Sequence, residues 1–225
     1  MSEPASDIPP PPLPPQQARS RETMERLLAA AIALLEEGGL AAVTIPDVAA
    51  RAGTSTGSVY RRFTDKDALL QGAFLRLLET SNAANAAASP ARQLAGLTLH
   101  AALSAVSRAL VAQHAAQPRL LKALDQYLEA QGDTAFSRRA VDLIERNIRR
   151  LVEALAPYHP EIPTPAPERA ILFALLSGMT LIEAQRLHSP LLWQRMLPLE
   201  DGALAAEVAG VMGAYLKRPA DSEGG

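Results

Sequence analysis

The sequence predicts an all-α protein with a small helix-turn-helix domain at its amino-terminal side and a larger helical domain after it. The 225 residues include 43 alanines, the strongest helix formers, and only 4% aromatic residues. Apolar residues recur at spacings of three and four along most of the chain. No run of alternating apolar and polar residues is long enough to predict a strand.

The composition excludes several kinds of chemistry. A chain without cysteine has no disulfide, thiolate zinc site, iron–sulfur cluster or cysteine nucleophile. The longest uninterrupted apolar run, residues 27–35, falls well short of the roughly 20 residues of a membrane-spanning helix. Acidic residues and prolines stand where a secretory signal would have a basic segment and an apolar run. We therefore expect a cytoplasmic protein without a membrane partner.

The two ends of the chain predict disorder. Residues 1–17 hold seven of the 18 prolines, a composition that favours extended polyproline conformation over a packed core. We expect a disordered proline-rich arm there, although such a segment also suits a proline-binding domain. Residues 219–225 are expected to form a disordered tail.

Two helices are predicted between residues 19 and 52. The first has apolar residues on one face and ends at the glycine pair of residues 38–39, a typical helix terminus. Thr44 is placed to cap the second helix, which tolerates Pro46 in its first turn and ends near Ala52.

A third short helix follows a glycine turn. Ser55 is a good amino-terminal cap for it, and Val59 and Phe63 lie on one of its faces. We expect these two side chains to pack on Val48 and Ala49 of the second helix. This arrangement is a helix-turn-helix.

The remaining chain predicts further helices. A helix at residues 66–80, capped by Thr64 or Asp65, carries an apolar stripe and is long enough to link two domains. The proline-rich segment 157–167 is expected to be a loop without helix. Val141 is assigned to the apolar face of the helix that contains it. Helices are predicted at residues 90–117, 118–132, 136–155, 168–188 and 202–216.

Enzymatic alternatives find little support. Residues 53–57 match G-x-S-x-G, the nucleophile elbow of serine hydrolases, but that motif needs a strand before the serine and here a helix is predicted. The four histidines have no glutamate three residues before them, as a carboxylate-bridged metal site in a helix bundle would need. HExxH is absent as well. We expect no enzyme activity, no catalytic residues, no metal and no cofactor.

The predicted third helix has polar residues on its outward face, where they could contact a DNA duplex. Hydroxyl and guanidinium groups bind phosphates and base edges, and a glycine lets the backbone approach DNA. A purely structural helical hairpin would show the same short pattern. The outward positions are predicted to be Thr56, Gly57, Ser58, Tyr60 and Arg61, with Arg62 at the margin.

Residues 21–78 resemble the amino-terminal DNA-binding domain of TetR-type transcriptional regulators. The core of the match is TIPDVAARAGTSTGSVYRRFTDKDALL at residues 44–70, which fits the spacing of that family without gaps. The match covers about a quarter of the chain. The later helices share only their length and all-α character with the family.

The resemblance implies roles for individual residues. Thr44, Tyr60 and Lys66 would hold phosphates. Residues placed for bases or backbone would be Ser55, Thr56, Ser58, Arg61 and Arg62, with Gly57 at the point of close approach. Three positions depart from the family pattern, since Thr54 replaces the usual valine, Thr56 replaces a frequent lysine, and Pro46 replaces a more usual residue in a first turn that tolerates it. One cationic contact is therefore expected to be missing.

The resemblance also implies a domain organisation and a function. Residues 18–66 would form the DNA-binding domain, and residues 67–218 the linking helix and a domain for effector binding and dimerisation. We expect a homodimeric repressor that binds a near-palindromic operator and is released by a small hydrophobic or aromatic effector. The apolar faces of the last two predicted helices favour them as the dimer interface. The alternative is an all-α protein-interaction or ligand-binding module that does not bind DNA.

The effector-binding residues are hypotheses with open alternatives. His100, Ser104 and Arg108 form a polar strip on one helix, which either lines a pocket or is a solvated face. Tyr127 and Met179 either line the pocket or belong to the core.

The positive charge near the predicted third helix is concentrated in a few neighbouring residues. Residues 18–66 contain seven basic and six acidic groups, and the chain as a whole has a net charge of −2. Three of these cations, Arg61, Arg62 and Lys66, lie close together in sequence. Because few phosphates would be neutralised, we expect weak non-specific DNA affinity with a modest salt dependence.

Overall fold

The structure is a computed structural model that describes residues 15–188 and 190–218. Within these ranges the chain forms helices and turns without a strand, which confirms the all-α fold. Most of the predicted arm, residues 1–14, and the predicted tail lie outside the described residues. The α-helices in chain order are α1 Pro15–Gly38, α2 Ile45–Arg51, α3 Thr56–Tyr60, α4 Lys66–Ala88, α5 Pro90–Leu94, α6 Leu99–Ala116, α7 Pro118–Gln131, α8 Ala135–Leu155, α9 Pro167–Glu183, α10 Pro190–Met196 and α11 Asp201–Leu216.

Side-chain caps begin α2, α3 and α4 where the sequence predicts them. In each case a side-chain oxygen accepts the backbone N–H of the residue three positions later, which satisfies an otherwise unpaired donor of the first turn. The distances are 3.2 Å for Thr44, 3.2 Å for Ser55 and 2.7 Å for Asp65. These local signals explain why this part of the fold is well predicted.

Two helices have bounds that differ from the prediction. Helix α1 begins at Pro15, so the last three residues of the predicted arm are helical. A proline is well tolerated in a first helical turn, because its missing N–H has no intrahelical partner there. Helix α4 continues eight residues past the predicted end, to Ala88.

The predicted helix at residues 90–117 is two helices instead of one. The chain turns at Gly96, whose φ of +76° is one that L side chains rarely adopt. Thr98 then caps α6, its hydroxyl accepting the Ala101 N–H at 3.3 Å. The prediction was wrong because one glycine costs an alanine-rich helix little, and the apolar pattern continues on both sides.

The carboxyl-terminal half holds three further differences. The segment expected to be a loop overlaps the short 3₁₀ helix Ala156–Glu161, which includes Pro157 and Pro160. Helix α9 ends at Glu183, a π-helical turn Ala184–His188 follows it, and α10 comes next without having been predicted. Val141 is exposed, not on the buried face of α8.

The buried apolar residues form two clusters. The first joins α1 to α4 with α7 and the first half of α8, including Leu120, Leu124 and Phe136. The second lies among α5, α6, the second half of α8, α9 and α11. The apolar packing of the helix-turn-helix segment therefore continues into α7 and α8.

Asn82 is a buried polar link between the two long helices α4 and α8. Its side-chain amide donates to the carbonyls of Leu78 (3.0 Å) and Leu143 (2.8 Å). The Arg150 guanidinium donates in turn to the Asn82 side-chain oxygen (3.2 Å). These bonds fix the register of α8 on α4.

One helical stretch in the described ranges, Pro167–His188, is long and apolar enough to cross a membrane by length and composition alone. The expectation of no such segment counted only uninterrupted apolar residues, so it overlooked a stretch broken by serine, glycine and threonine. The same stretch contains α9, whose Ile171, Leu175 and Ile182 are buried in the second cluster. A core helix of a soluble protein passes this test too, so the finding is weak evidence for a membrane span.

Candidate nucleic-acid interface

Helices α2 and α3 are joined by a tight turn. Gly53 has a φ of +63°, its N–H donates to the Ala50 carbonyl (3.1 Å), and the Thr54 N–H donates to the Ala49 carbonyl (2.9 Å). The left-handed conformation at Gly53 reverses the chain within a few residues.

The packing expected between the two helices is confirmed. Val48, Ala49, Val59 and Phe63 are all buried in the first apolar cluster. Helix α3 has only five residues and would not be stable alone. Burial of these side chains therefore holds it at a defined angle to α2.

Most of the predicted DNA-contact residues are exposed. Thr44, Ser55, Thr56, Arg61 and Lys66 are open to solvent. Tyr60, an aromatic residue with a large apolar ring, is 58% exposed.

Gly57 leaves the backbone of α3 uncovered. A Cβ at this position would meet only the Ser55 hydroxyl, at 3.9 Å. A duplex can therefore approach the main chain here without displacing other side chains.

Ser58 is buried, contrary to the prediction that it lies on the outward face of α3. The residue as a whole is only 6% exposed. Its hydroxyl accepts hydrogen bonds from the Arg61 guanidinium (3.1 Å) and the Arg62 guanidinium (3.2 Å). The prediction placed Ser58 from helical periodicity, which cannot show that longer neighbouring side chains cover it.

Lys66 and Thr44 are exposed but already have partners within the domain. The Lys66 ammonium donates to the Leu40 carbonyl at 3.3 Å, and the Thr44 hydroxyl donates to an Asp47 carboxylate oxygen at 2.5 Å. These contacts orient both side chains before any ligand binds.

A salt bridge that the sequence analysis missed braces α2 against the end of α1. The Arg51 guanidinium donates two parallel bonds to the Glu37 carboxylate, at 2.7 and 2.9 Å. This hydrogen bonding lowers the pKa of Glu37 and raises that of Arg51. Fourteen residues separate the pair, a distance at which no helical periodicity indicates contact.

The serine hydrolase alternative fails on geometry. Ser55 follows a helix and a glycine turn, whereas a nucleophile elbow follows a strand. Its hydroxyl caps α3.

The proposed effector residues are not brought together. His100 and Arg108 are exposed on α6, and Ser104 donates to the His100 carbonyl at 2.9 Å. Tyr127 belongs to the first apolar cluster, where burial raises its pKa, and Met179 packs against the second. Their role in effector binding stays a prediction.

Open clefts lie elsewhere. One of about 420 Å³ lies between the end of α1 and α7, lined by Glu37, Arg119 and Lys122 among others. A second, of about 430 Å³, is next to it. Neither is lined by the predicted effector residues. In the described part of the chain no three acidic or histidine side chains are grouped to hold a metal ion.

Comparisons with known proteins agree with this geometry. Residues 27–73 match the family model of the bacterial regulatory proteins of the tetR family. No curated protein matches the chain in sequence.

Solved structures share the fold along almost the whole chain. A putative TetR-family transcriptional regulator from Mesorhizobium loti aligns with a TM-score of 0.61 and 19% identity, covering 91% of this chain and 98% of that one. A tetR-family transcriptional regulator from Streptomyces coelicolor has a TM-score of 0.61 and 19% identity, covering 87% and 80%. The regulator FadR from Bacillus subtilis, solved in complex with stearoyl-CoA, has a TM-score of 0.57 and 14% identity, covering 85% and 97%.

At these low identities the structural alignments show a shared fold, and the family match covers the helix-turn-helix segment formed by α2 and α3. Residues 27–73 thus match the amino-terminal domain of the tetR family of bacterial regulatory proteins, and the described chain shares its all-α fold with solved TetR-type transcriptional regulators.

Proposed function

We propose that the chain is a ligand-responsive repressor that binds a near-palindromic operator as a homodimer. The observation that carries this proposal is the exposed polar surface of α3, with Tyr60 and Arg61 outward and the open backbone at Gly57. Buried packing on α2 fixes this surface. A helix held this way suits the major groove of DNA.

Exposed apolar side chains support the dimer. On α9, Phe173 and Leu176 are about half exposed, and on α11 so is Val211. The Phe173 ring also packs at a tilt against the ring of Tyr215 of α11, with ring centroids 4.8 Å apart. A second copy of the same two helices would cover these side chains as a four-helix interface. It would also set the two α3 helices about 34 Å apart for successive major grooves.

An effector would act through helices that contact the helix-turn-helix segment. Helix α4 is one such link, because its residues Leu69 and Phe74 belong to the first apolar cluster and its Asn82 binds α8.

Helix α7 is a second link. Near its start, the Arg119 guanidinium donates to the Glu37 carbonyl at the end of α1. Near its end, the Tyr127 hydroxyl lies 3.4 Å from the Asp67 carbonyl in the first turn of α4. A ligand that shifts α7 or α4 would change the separation of the two α3 helices and weaken DNA binding by linkage.

The effector we propose is hydrophobic or aromatic. The second cluster is formed almost entirely by aliphatic side chains, and one structural relative, FadR, was solved with stearoyl-CoA. We propose a cytoplasmic location, where both operator and effector are accessible.

Selection of duplexes from a random pool on the full-length protein tests the function. We expect a two-part consensus, bound in a fluorescence anisotropy titration. Replacing Tyr60 and Arg61 together by alanine should abolish binding while the protein stays folded. Arg149→Ala, which removes an exposed arginine from α8, is the matched control. If no duplex is enriched, the chain is an interaction or ligand-binding module instead.

A further inference from the structure

The two adjacent arginines at the end of α3 have different surroundings. Arg61 is exposed, whereas Arg62 is half-buried. We propose that Ser58 is a positioning residue for both arginines. It orients the Arg61 guanidinium for contact with DNA bases, and it holds the Arg62 guanidinium at the carboxyl end of α3, where Arg62 caps the helix. This inference rests on the proposed function and assigns the specificity of the same surface.

Arg62 acts as a helix cap. Because α3 ends after Tyr60, the Arg62 N–H donates to the Val59 carbonyl (2.9 Å) and not to the Ser58 carbonyl four residues back. The Arg62 guanidinium donates to that Ser58 carbonyl instead, at 3.1 Å. Terminal carbonyls of a helix need such a partner, and a cationic side chain there also opposes the negative end of the helix dipole.

The Arg62 side chain is held at the end of α3 by its hydrogen bonds to Ser58. Its Nη1 atom contacts both the carbonyl and the hydroxyl of Ser58, and its Nε atom is buried without a hydrogen-bond partner in the described structure. To reach DNA, the side chain would have to give up its bonds to Ser58 and uncover the serine.

Arg61 is suited to reading. Its Nη2 atom donates to the Ser58 hydroxyl at 3.1 Å, which leaves most of the N–H donors of an exposed guanidinium for another partner. A guanidinium fixed at one end presents its free edge in a defined direction. Guanine, with its O6 and N7 acceptors, is the base that such an edge recognises in the major groove.

Sequence spacing explains why a serine occupies this position. Ser58 precedes Arg61 by three residues and Arg62 by four, so both side chains lie over it on the helix surface. A hydroxyl oxygen can accept two hydrogen bonds and is small enough to be covered.

Single substitutions in the full-length protein test these two roles, using the selected duplex and variants with each base pair changed. Arg61→Ala should weaken binding of the selected duplex by about tenfold or more and flatten the preference at one base pair in each half-site. Arg62→Ala should lower the unfolding midpoint by about 2–4 °C, weaken binding equally for all duplexes, and leave the base preference unchanged.

The serine itself needs a test that separates positioning from stability. Ser58→Ala should reduce discrimination at the base pair read by Arg61, and Ser58→Thr, which keeps the hydroxyl, should restore it. Ser107→Ala is the matched control, because Ser107 is fully buried in α6 and its hydroxyl has no hydrogen-bond partner in the described structure. It should leave base preference as in the unmodified protein.

Two results would overturn the inference while leaving the proposed function intact. One is loss of base preference in Arg62→Ala as large as in Arg61→Ala. The other is full discrimination by Ser58→Ala. If the unmodified protein binds no duplex selectively, the proposed function fails and the inference fails with it.

Discussion

Gly57→Ala separates the folding of α3 from its contact with DNA. Gly57 is not among the glycines with positive φ, and an added Cβ would make only an ordinary contact with the Ser55 hydroxyl, at 3.9 Å. Alanine loses less conformational entropy than glycine in a helix. The substitution should therefore raise the free energy of unfolding by about 0.5–1 kcal/mol.

The same methyl group should obstruct DNA. It would stand at the open backbone of α3, where we expect the duplex to approach. We predict a rise in Kd of about tenfold or more for the selected duplex, which corresponds to about 1.4 kcal/mol. Stability and affinity would then change in opposite directions.

Gly53→Ala is the matched control in the neighbouring turn. No atom lies within 4 Å of the added Cβ, so its cost comes from the φ of +63° alone. It should lower the free energy of unfolding by about 1–2 kcal/mol. The affinity of the folded fraction for DNA should stay unchanged.

Urea unfolding and anisotropy titration of both variants measure these effects. Binding of the selected duplex by Gly57→Ala as tightly as by the unmodified protein would refute a close approach of DNA at this glycine. Easier unfolding of Gly57→Ala than of Gly53→Ala would refute the helical assignment of Gly57.

Three further predictions concern the rest of the fold. Leu176→Glu should give a monomer in sedimentation, whereas Val141→Glu, at another exposed apolar residue, should leave the oligomeric state unchanged; a Leu176→Glu dimer would contradict the interface. Asn82→Ala should cost about 1–3 kcal/mol in urea unfolding, because it leaves buried polar groups of α4 and α8 without a partner; an unchanged midpoint would show that this link is unimportant. Because the Arg51 guanidinium lowers the pKa of Glu37 below its usual 4.5, the pair stabilises the fold above that pH and its contribution is lost as pH falls through the lower folded value. Arg51→Ala should return the Glu37 pKa, followed by NMR titration, towards 4.5, and an unchanged titration would contradict the assignment.

The parts of the fold that the sequence predicts well depend on local chemistry. Three helix starts are predicted from Thr44, Ser55 and Asp65, because each cap interacts with a residue only three positions away. The Gly53 turn is equally local.

The parts that were missed depend on distant or three-dimensional features. The salt bridge of Glu37 and Arg51 joins two helices without any periodic signal. Ser58 is outward by helical periodicity, yet two long arginine side chains cover it. The interruption between α5 and α6 at Gly96 could not be predicted from an alanine-rich segment, because one glycine lowers helix propensity only slightly.

The central claim is that a dimer reads DNA with the exposed face of α3. Its most direct test is the affinity of the full-length protein for the selected duplex and for a scrambled duplex across a salt series. We predict saturable binding of two protomers to the selected duplex and much weaker binding to the scrambled one. Even if all three cations Arg61, Arg62 and Lys66 of each protomer neutralised a phosphate, the log–log salt slope would be no steeper than about −5. Equal affinity for the two duplexes, or a much steeper slope, would contradict this account.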